Sequence, residues 1–152
     1  MNLSTDTIDV LKNFSGINQN ILVKPGKTVQ TISTMKNILA EAEIGEEFGS
    51  EFAIYDLPEF LRSIDLFDSP TLNFNGGANV TINEAKSKQN IKYFFADKSV
   101  IVSPTKSITM PDNFVSFTFK KENFAKLMKA ATTLNLIDVA VIGNGSKIHM
   151  VA

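Results

Sequence analysis

The sequence predicts an α+β fold made of repeated units, each an amphipathic helix set among antiparallel strands. The first observation behind this is residues Phe52–Phe67, FAIYDLPEFLRSIDLF. A short apolar run, Phe52 to Tyr55, leads into Asp56, a good helix N-cap. Pro58 falls in the first turn and Glu59 lies at capping-box spacing from Asp56. The helix that follows carries Phe60, Leu61, Ile64 and Phe67 on one face, with Arg62, Ser63 and Asp65 largely off it. A strand is expected next, at Thr71–Asn75.

The second observation is that the unit recurs. Val115–Phe119 reads as a strand, Lys121-Glu122-Asn123 opens a helix with Phe124, Leu127, Met128 and Ala131 inward, and Ile137–Ile142 reads as the next strand. Aligning Phe60 with Phe124, 64 positions on, brings Arg62 onto Lys126. An earlier helix carries Leu11-Lys12 where the central one carries Leu61-Arg62. A base at a matching place in three helices is an internal-repeat signal, although any amphipathic helix presents some base on its polar side. The third observation is a series of turn signatures between β-rich runs, which indicates antiparallel strands.

Taken in order, Leu3–Phe14 is the first helix. Ser4 serves as N-cap, Asp6 suits the positive end of the dipole, and Gly16 stops the helix. Ile8, Leu11 and Phe14 face the core, while Thr5, Asp9, Lys12 and Asn13 face away. Ile21–Lys24 and Lys27–Ile32 are short strands joined at Pro25-Gly26, a pair suited to a type II turn. Asn37–Ile44 is a strand and Glu46–Ser50 an acidic loop. After the central unit, Thr71–Asn75 and Asn79–Asn83 flank a Gly76-Gly77 hairpin, and Asn90–Phe95 and Ser99–Val102 complete a four-stranded meander. Ser103–Asn113, SPTKSITMPDN, is a connector with two prolines. It divides residues 1–102 from a second domain, 114–152, with a hairpin at Gly143-Asn144-Gly145. That second domain has one helix where the first has two, and the sequence stops inside a strand-like run. A shortened second domain is therefore expected.

The 152 residues suffice for one ordinary domain or two small ones. Phe supplies 12 of the aromatics against 2 Tyr and no Trp, which points to core packing rather than a stacking surface. Cysteine is absent, so disulfides, thiol nucleophiles and thiolate metal sites are excluded. No apolar run is long enough to span a membrane as a helix and Met1–Val10 lacks a signal-peptide pattern, so a soluble intracellular protein is expected.

Net charge is −1, but the charge is segregated. Residues 41–68 hold nine acids and one base, Arg62, whereas residues 86–129 hold nine bases and three acids. Any nucleic-acid contact must come from such local segregation rather than from a whole-protein field. An unevenly charged solvated surface would look the same.

Catalytic chemistry finds no support. The single histidine, His149, has no partner pattern around it, and an ordinary strand histidine is the simpler reading. The Gly143–Ser146 run is a hairpin turn rather than a phosphate loop, because no helix follows it. Glu46, Glu47 and Glu51 match no cation-loop spacing and read as a solvated acidic edge. No catalytic residue, metal or cofactor is expected, and the protein is expected not to be an enzyme.

The opening LSTDTIDVLKNFSGIN, the central FAIYDLPEFL and the order of elements resemble the sliding clamps of T4-type bacteriophages. These are DNA polymerase processivity factors, analogous to proliferating cell nuclear antigen. The most specific stretches are Leu3-Ser4, Asp6-Thr7, Leu11-Lys12-Asn13-Phe14, Ile17-Asn18 and Ala53-Ile54-Tyr55-Asp56-Leu57. The resemblance implies the DNA clamp fold, in which a subunit has two similar domains and three subunits close head to tail around duplex DNA. It implies a non-catalytic protein in the infected host cell's cytoplasm. Such a protein is loaded by an ATP-driven clamp loader, tethers the DNA polymerase and supports late transcription. A second domain lacking its last helix and strands puts ring closure by this chain in doubt.

On this reading Lys12, Arg62, Lys126 and Lys129 face double-stranded DNA, with Lys120 and Lys121 as weaker candidates. Flexible cationic side chains hold phosphates without fixing register, and no helix rich in base-reading residues is present. The resemblance also places a partner-peptide groove at Val102–Phe114, with Ile108, Met110 and Phe114 as contacts, although these residues would equally serve to pack the connector. The competing reading is an α+β protein-interaction scaffold that does not encircle DNA. A shared surface for Lys12, Arg62 and Lys126 would favour the clamp, and scatter over opposite faces the scaffold. A small enzyme is the third class.

Overall fold

The computed structural model describes residues 1–85, 87–105, 112 and 116–152. The chain divides into two compact units, Met1–Ser107 and Ile108–Ala152. The first begins with helix α1 (Thr5–Ser15), followed by strands β1 (Ile21–Val23), β2 (Gly26–Ile32), β3 (Leu39–Phe48) and β4 (Phe52–Ile54). Helix α2 (Leu57–Ile64), strands β5 (Thr71–Phe74), β6 (Asn79–Asn83) and β7 (Asn90–Phe94), and a 3-10 turn at Lys98–Val100 complete it. The second unit contains helix α3 (Lys121–Thr133) and the hairpin of β8 (Ala140–Gly143) and β9 (Ile148–Val151).

Local chemistry sets the helix starts. Ser4 has extended backbone angles and its hydroxyl oxygen accepts the Thr7 amide at 3.3 Å, so α1 starts at Thr5 rather than at Leu3. Asp56 caps α2 in the same way, its carboxylate accepting the Glu59 amide at 2.7 Å. Of the expected stripes, Leu11 and Phe14 of α1 and Phe60, Leu61 and Ile64 of α2 are buried, while Ile8 and Phe67 are partly covered. Thr7 is buried as well, which a hydropathy pattern does not signal.

All strand pairs in the described residues are antiparallel: β1 with β4, β2 with β3, β5-β6-β7 in series, and β8 with β9. The strands flanking Pro25-Gly26 therefore belong to different ladders. The core of the first unit gathers Val29 and Phe48 from β2 and β3, Phe52 and Ile54 from β4, Leu72, Val80 and Ile82 from the three-stranded sheet, and the helix stripes. Aromatic rings tie these layers together. Phe52 lies 5.2 Å from Phe48, 5.1 Å from Phe74 and 5.0 Å from Phe95, and Phe60 meets Tyr93 edge-on at 5.0 Å. The Tyr93 hydroxyl donates to the Asp56 carbonyl at 3.2 Å, which binds the cap of α2 to β7.

Three sequence expectations for strands fail. The acidic run is not a loop: β3 continues through Glu46 and Glu47 to Phe48. Ala40, Ala42, Ile44, Glu46 and Phe48 form its covered side, while Glu41, Glu43, Gly45 and Glu47 face solvent. Ser99–Val102 is not a fourth strand of the meander. Asp97 accepts the Ser99 amide at 2.8 Å and starts a 3-10 turn, so three strands remain. Residues 116–119 are likewise not a strand, and Val115 lies outside the described residues.

The end of the first unit is held by two asparagines. Asn18, which is buried, donates to the Ile32 carbonyl at 2.8 Å and the Val102 carbonyl at 3.3 Å, while its own carbonyl accepts the Asn20 amide at 3.1 Å. The Asn20 side chain accepts the Val102 amide at 3.0 Å. Both backbone groups of Val102 are thereby satisfied from the loop after α1.

In the second unit α3 forms as expected, but its apolar residues are less covered. Ala131 is buried, whereas Phe124 and Met128 are 45% and 38% exposed. The Asn144 amide donates to the Lys147 carbonyl at 3.1 Å, closing the β8–β9 hairpin at the predicted place.

Candidate nucleic-acid interface

α1 and α2 pack against each other, and their outward sides carry the two candidate bases of the first unit. Leu11 and Phe14 point into the core, so Lys12 between them is left exposed at the last turn of α1. Phe60, Leu61 and Ile64 do the same for Arg62 at the last turn of α2. Lys12 has a charged partner on the C-terminal end of α2, Asp65. The Lys12 Nζ lies 3.7 Å from the Asp65 Oδ2, with both side chains about half exposed. Arg62 precedes Asp65 by three residues, the spacing of neighbours on a helix surface.

The strip is not basic overall. α1, α2 and their caps hold Asp6, Asp9, Asp56, Glu59 and Asp65 against Lys12 and Arg62. α3 has the opposite balance: Lys120 at the cap, then Lys121, Lys126 and Lys129, against Glu122 alone. All four lysines are exposed. Lys126 and Lys129 are neighbours on one helix face. Lys120 and Lys121 sit at the helix N-terminus, where the backbone dipole adds to their positive potential. The expectation of bases on the outer faces of three helices is met for each helix separately. Lys12 and Arg62 lie on the two packed helices α1 and α2, and Lys121, Lys126 and Lys129 lie on the helix of the other unit with Lys120 at its cap.

Ile108, Met110 and Phe114 of the expected peptide groove lie outside the described residues. The first unit does hold an open cleft of about 420 Å³, lined in part by Leu22, Phe52, Ala53 and Phe95. At its rim Lys98 pairs with Glu51 at 3.0 Å, and the hydrogen bond to Glu51 raises the Lys98 ammonium above its ordinary pKa.

The acids that a cation would need are engaged differently. The Glu46 carboxylate accepts the Ser4 amide and the Thr7 hydroxyl, at the N-terminus of α1. Burial alone would raise its pKa, but the Thr7 hydroxyl and the Ser4 amide outweigh that and hold it below the usual carboxylate value. Among the described residues no group of three His, Cys, Asp or Glu side chains is placed to hold a metal ion. Among them, too, no helix is long and apolar enough to cross a membrane.

Two residues that matter here, Asp65 and Glu46, were not singled out as site residues from sequence. Asp65 carried one signal, a carboxylate at the C-terminal end of a helix. Glu46 carried another, its place in the alternation A-E-A-E-I-G-E-E-F of residues 40–48.

Helices set among small antiparallel sheets, with exposed bases on each helix, make this a mixed α+β protein of the kind a DNA-binding clamp family would use. The family comparison then identifies it: residues 4–103 match the model of the DNA polymerase processivity factor family, and the chain belongs to that family. Three curated relatives, each named a sliding clamp, are similar along nearly the whole chain. The Escherichia phage RB69 protein is 34% identical over 149 residues, and the Enterobacteria phage T4 protein 32% over 149 residues, each match covering 97% of this chain. The Vibrio phage KVP40 protein is 33% identical over 144 residues, 93% of this chain. In each case the match spans 64% of the relative's length.

Proposed function

We propose that this chain works as a sliding clamp: it holds a DNA polymerase on duplex DNA through non-specific charge attraction and performs no chemistry of its own. The observation that carries this reading is the family match over residues 4–103, the stretch that includes both α1 and α2. The exposed lysines of α3 support it, because a tether that must slide needs phosphate contacts that carry no sequence information. On this reading α3 is the principal DNA-facing helix, through Lys126 and Lys129 with Lys120 and Lys121, and Lys12 and Arg62 contribute from the first unit.

The finer parts of the proposal follow from the same family. Residues 1–102 act as a clamp domain, 103–113 as a connector and 114–152 as part of a second clamp domain. The whole protein acts as a homotrimer in the infected cell, is opened by an ATP-driven loader, and supports late transcription as well as replication. Polymerase peptides dock at Ile108, Met110 and Phe114.

The test is a primer-extension assay with the cognate polymerase and loader, scored by product length. The clamp reading expects longer products when the protein is added, and a loss of that gain when Lys126 and Lys129 are both changed to Glu. Products of unchanged length with the wild-type protein would favour the scaffold reading. Equal binding of a polymerase C-terminal peptide before and after Ile108→Asp and Met110→Asp would remove the groove.

A further inference from the structure

We propose that Asp65 is a charge brake on the α1–α2 strip: it competes with DNA phosphate for Lys12 and keeps this surface only weakly attractive to duplex DNA. The inference rests on the DNA-facing reading given above and adds a regulating residue to it.

Three observations carry it. The Lys12 ammonium lies 3.7 Å from the Asp65 carboxylate, and both are about half exposed, so a phosphate can reach and replace the carboxylate. Exposed ion pairs of this kind hold weakly, which makes the exchange easy. Next, Asp65 sits at the C-terminal end of α2, where the helix dipole disfavours an anion. Its contribution to ending the helix is a backbone bond, Asp65 N–H to Leu61 carbonyl at 3.0 Å, which any non-proline residue would make. Among the described residues its side chain has one charged partner, Lys12. Helix stability therefore gives no reason for a carboxylate here. Finally, the remaining acids of the strip work in the same direction, with Asp9 one turn before Lys12 and Glu59 one turn before Arg62, whereas α3 and its cap carry four lysines against one glutamate. Phosphate attraction is thus concentrated on α3 and damped on α1 and α2. That suits a protein that must stay on DNA without gripping it.

The test is fluorescence anisotropy of the 152-residue chain with a labelled linear duplex, across a salt series. Asp65→Asn is expected to tighten binding about threefold at low salt, the scale of releasing one exposed ion pair. It should also steepen the log–log salt dependence by about 0.9, one additional phosphate contact. The gain should vanish in Asp65→Asn combined with Lys12→Gln. Asp65→Ser, of different size, should repeat the gain, and neither single variant should lower the melting temperature. If both variants bind as wild type does while Lys126→Gln with Lys129→Gln weakens binding, the brake is wrong and the DNA-facing reading survives. If the gain persists without Lys12, competition for that lysine is wrong. If neither the wild type nor any variant binds the duplex, both readings fall.

Discussion

The carboxylate of Glu46 accepts a hydrogen bond from the hydroxyl of Thr7, 39 positions earlier in the chain, tying β3 to the first turn of α1. The same carboxylate takes the Ser4 amide, and the Ser4 hydroxyl donates to Thr7 Oγ1 at 3.1 Å. A helix start that local sequence would cap with Ser4 alone thus receives a second, tertiary cap with a full negative charge at the positive end of the dipole.

This gives a pH signature. The Glu46 pKa is depressed in the folded state from an ordinary 4.5, so its ionised form binds more strongly in the folded than in the unfolded chain. The stabilisation is complete above about 4.5 and is lost as pH falls through the lower folded value. Glu46→Gln should destabilise the protein by about 1 kcal/mol at pH 7, the usual scale for a helix cap. The difference from wild type should shrink as pH falls below 4.5. Thermal melts of both proteins at pH 7 and pH 3.5 would check this; a gap that is unchanged at low pH would contradict it.

The Asp56 cap allows a comparison of two bonds at one site. Asp56→Ala removes the side-chain acceptor of the Glu59 amide and should cost about 1 kcal/mol. Tyr93→Phe removes only the donor to the Asp56 carbonyl and should cost about 1 kcal/mol as well, because the ring contact with Phe60 remains. The two bonds meet at one residue, so the double variant should depart from additivity. Urea unfolding of the four proteins measures the coupling.

The aromatic layer should be the least forgiving part of the first unit. Phe52 touches Phe48, Phe74 and Phe95, rings from three different parts of the chain. Phe52→Ala should cost about 3–5 kcal/mol and Phe52→Leu considerably less, since the smaller cavity is partly refilled. Equal melting temperatures for these two variants would show that the layer is not packed as described.

Much of the fold was legible because its signals are local. The α2 cap, its buried stripe and the Gly-centred hairpins each lie within a few residues of sequence. The end of β3 was missed because its covered side contains a glutamate, Glu46, whose partner lies at the start of the chain, so Glu46–Ser50 looked like an acidic loop. Ser99–Val102 looked like a strand by composition, but the Asp97 side chain captures the Ser99 amide and turns the backbone first. The stripe of α3 was read as buried from its spacing, yet spacing only shows which residues share a face, and Phe124 and Met128 remain well exposed. Lys12 and Arg62 were legible as a recurring base on a helix. Asp65 was not, because its importance lies in facing α1, and that follows from the packing of two helices 50 positions apart.

The two asparagines that hold Val102 have a practical consequence for dissecting the chain. A stand-alone version of the first unit cut before Val102 would bury the Asn18 amide with one of its two acceptors removed and leave the Asn20 carbonyl without its donor. The penalty would fall on the loop after α1, more than 80 residues from the cut. The smallest well-behaved piece is therefore fixed by that loop, and it must run at least to residue 102.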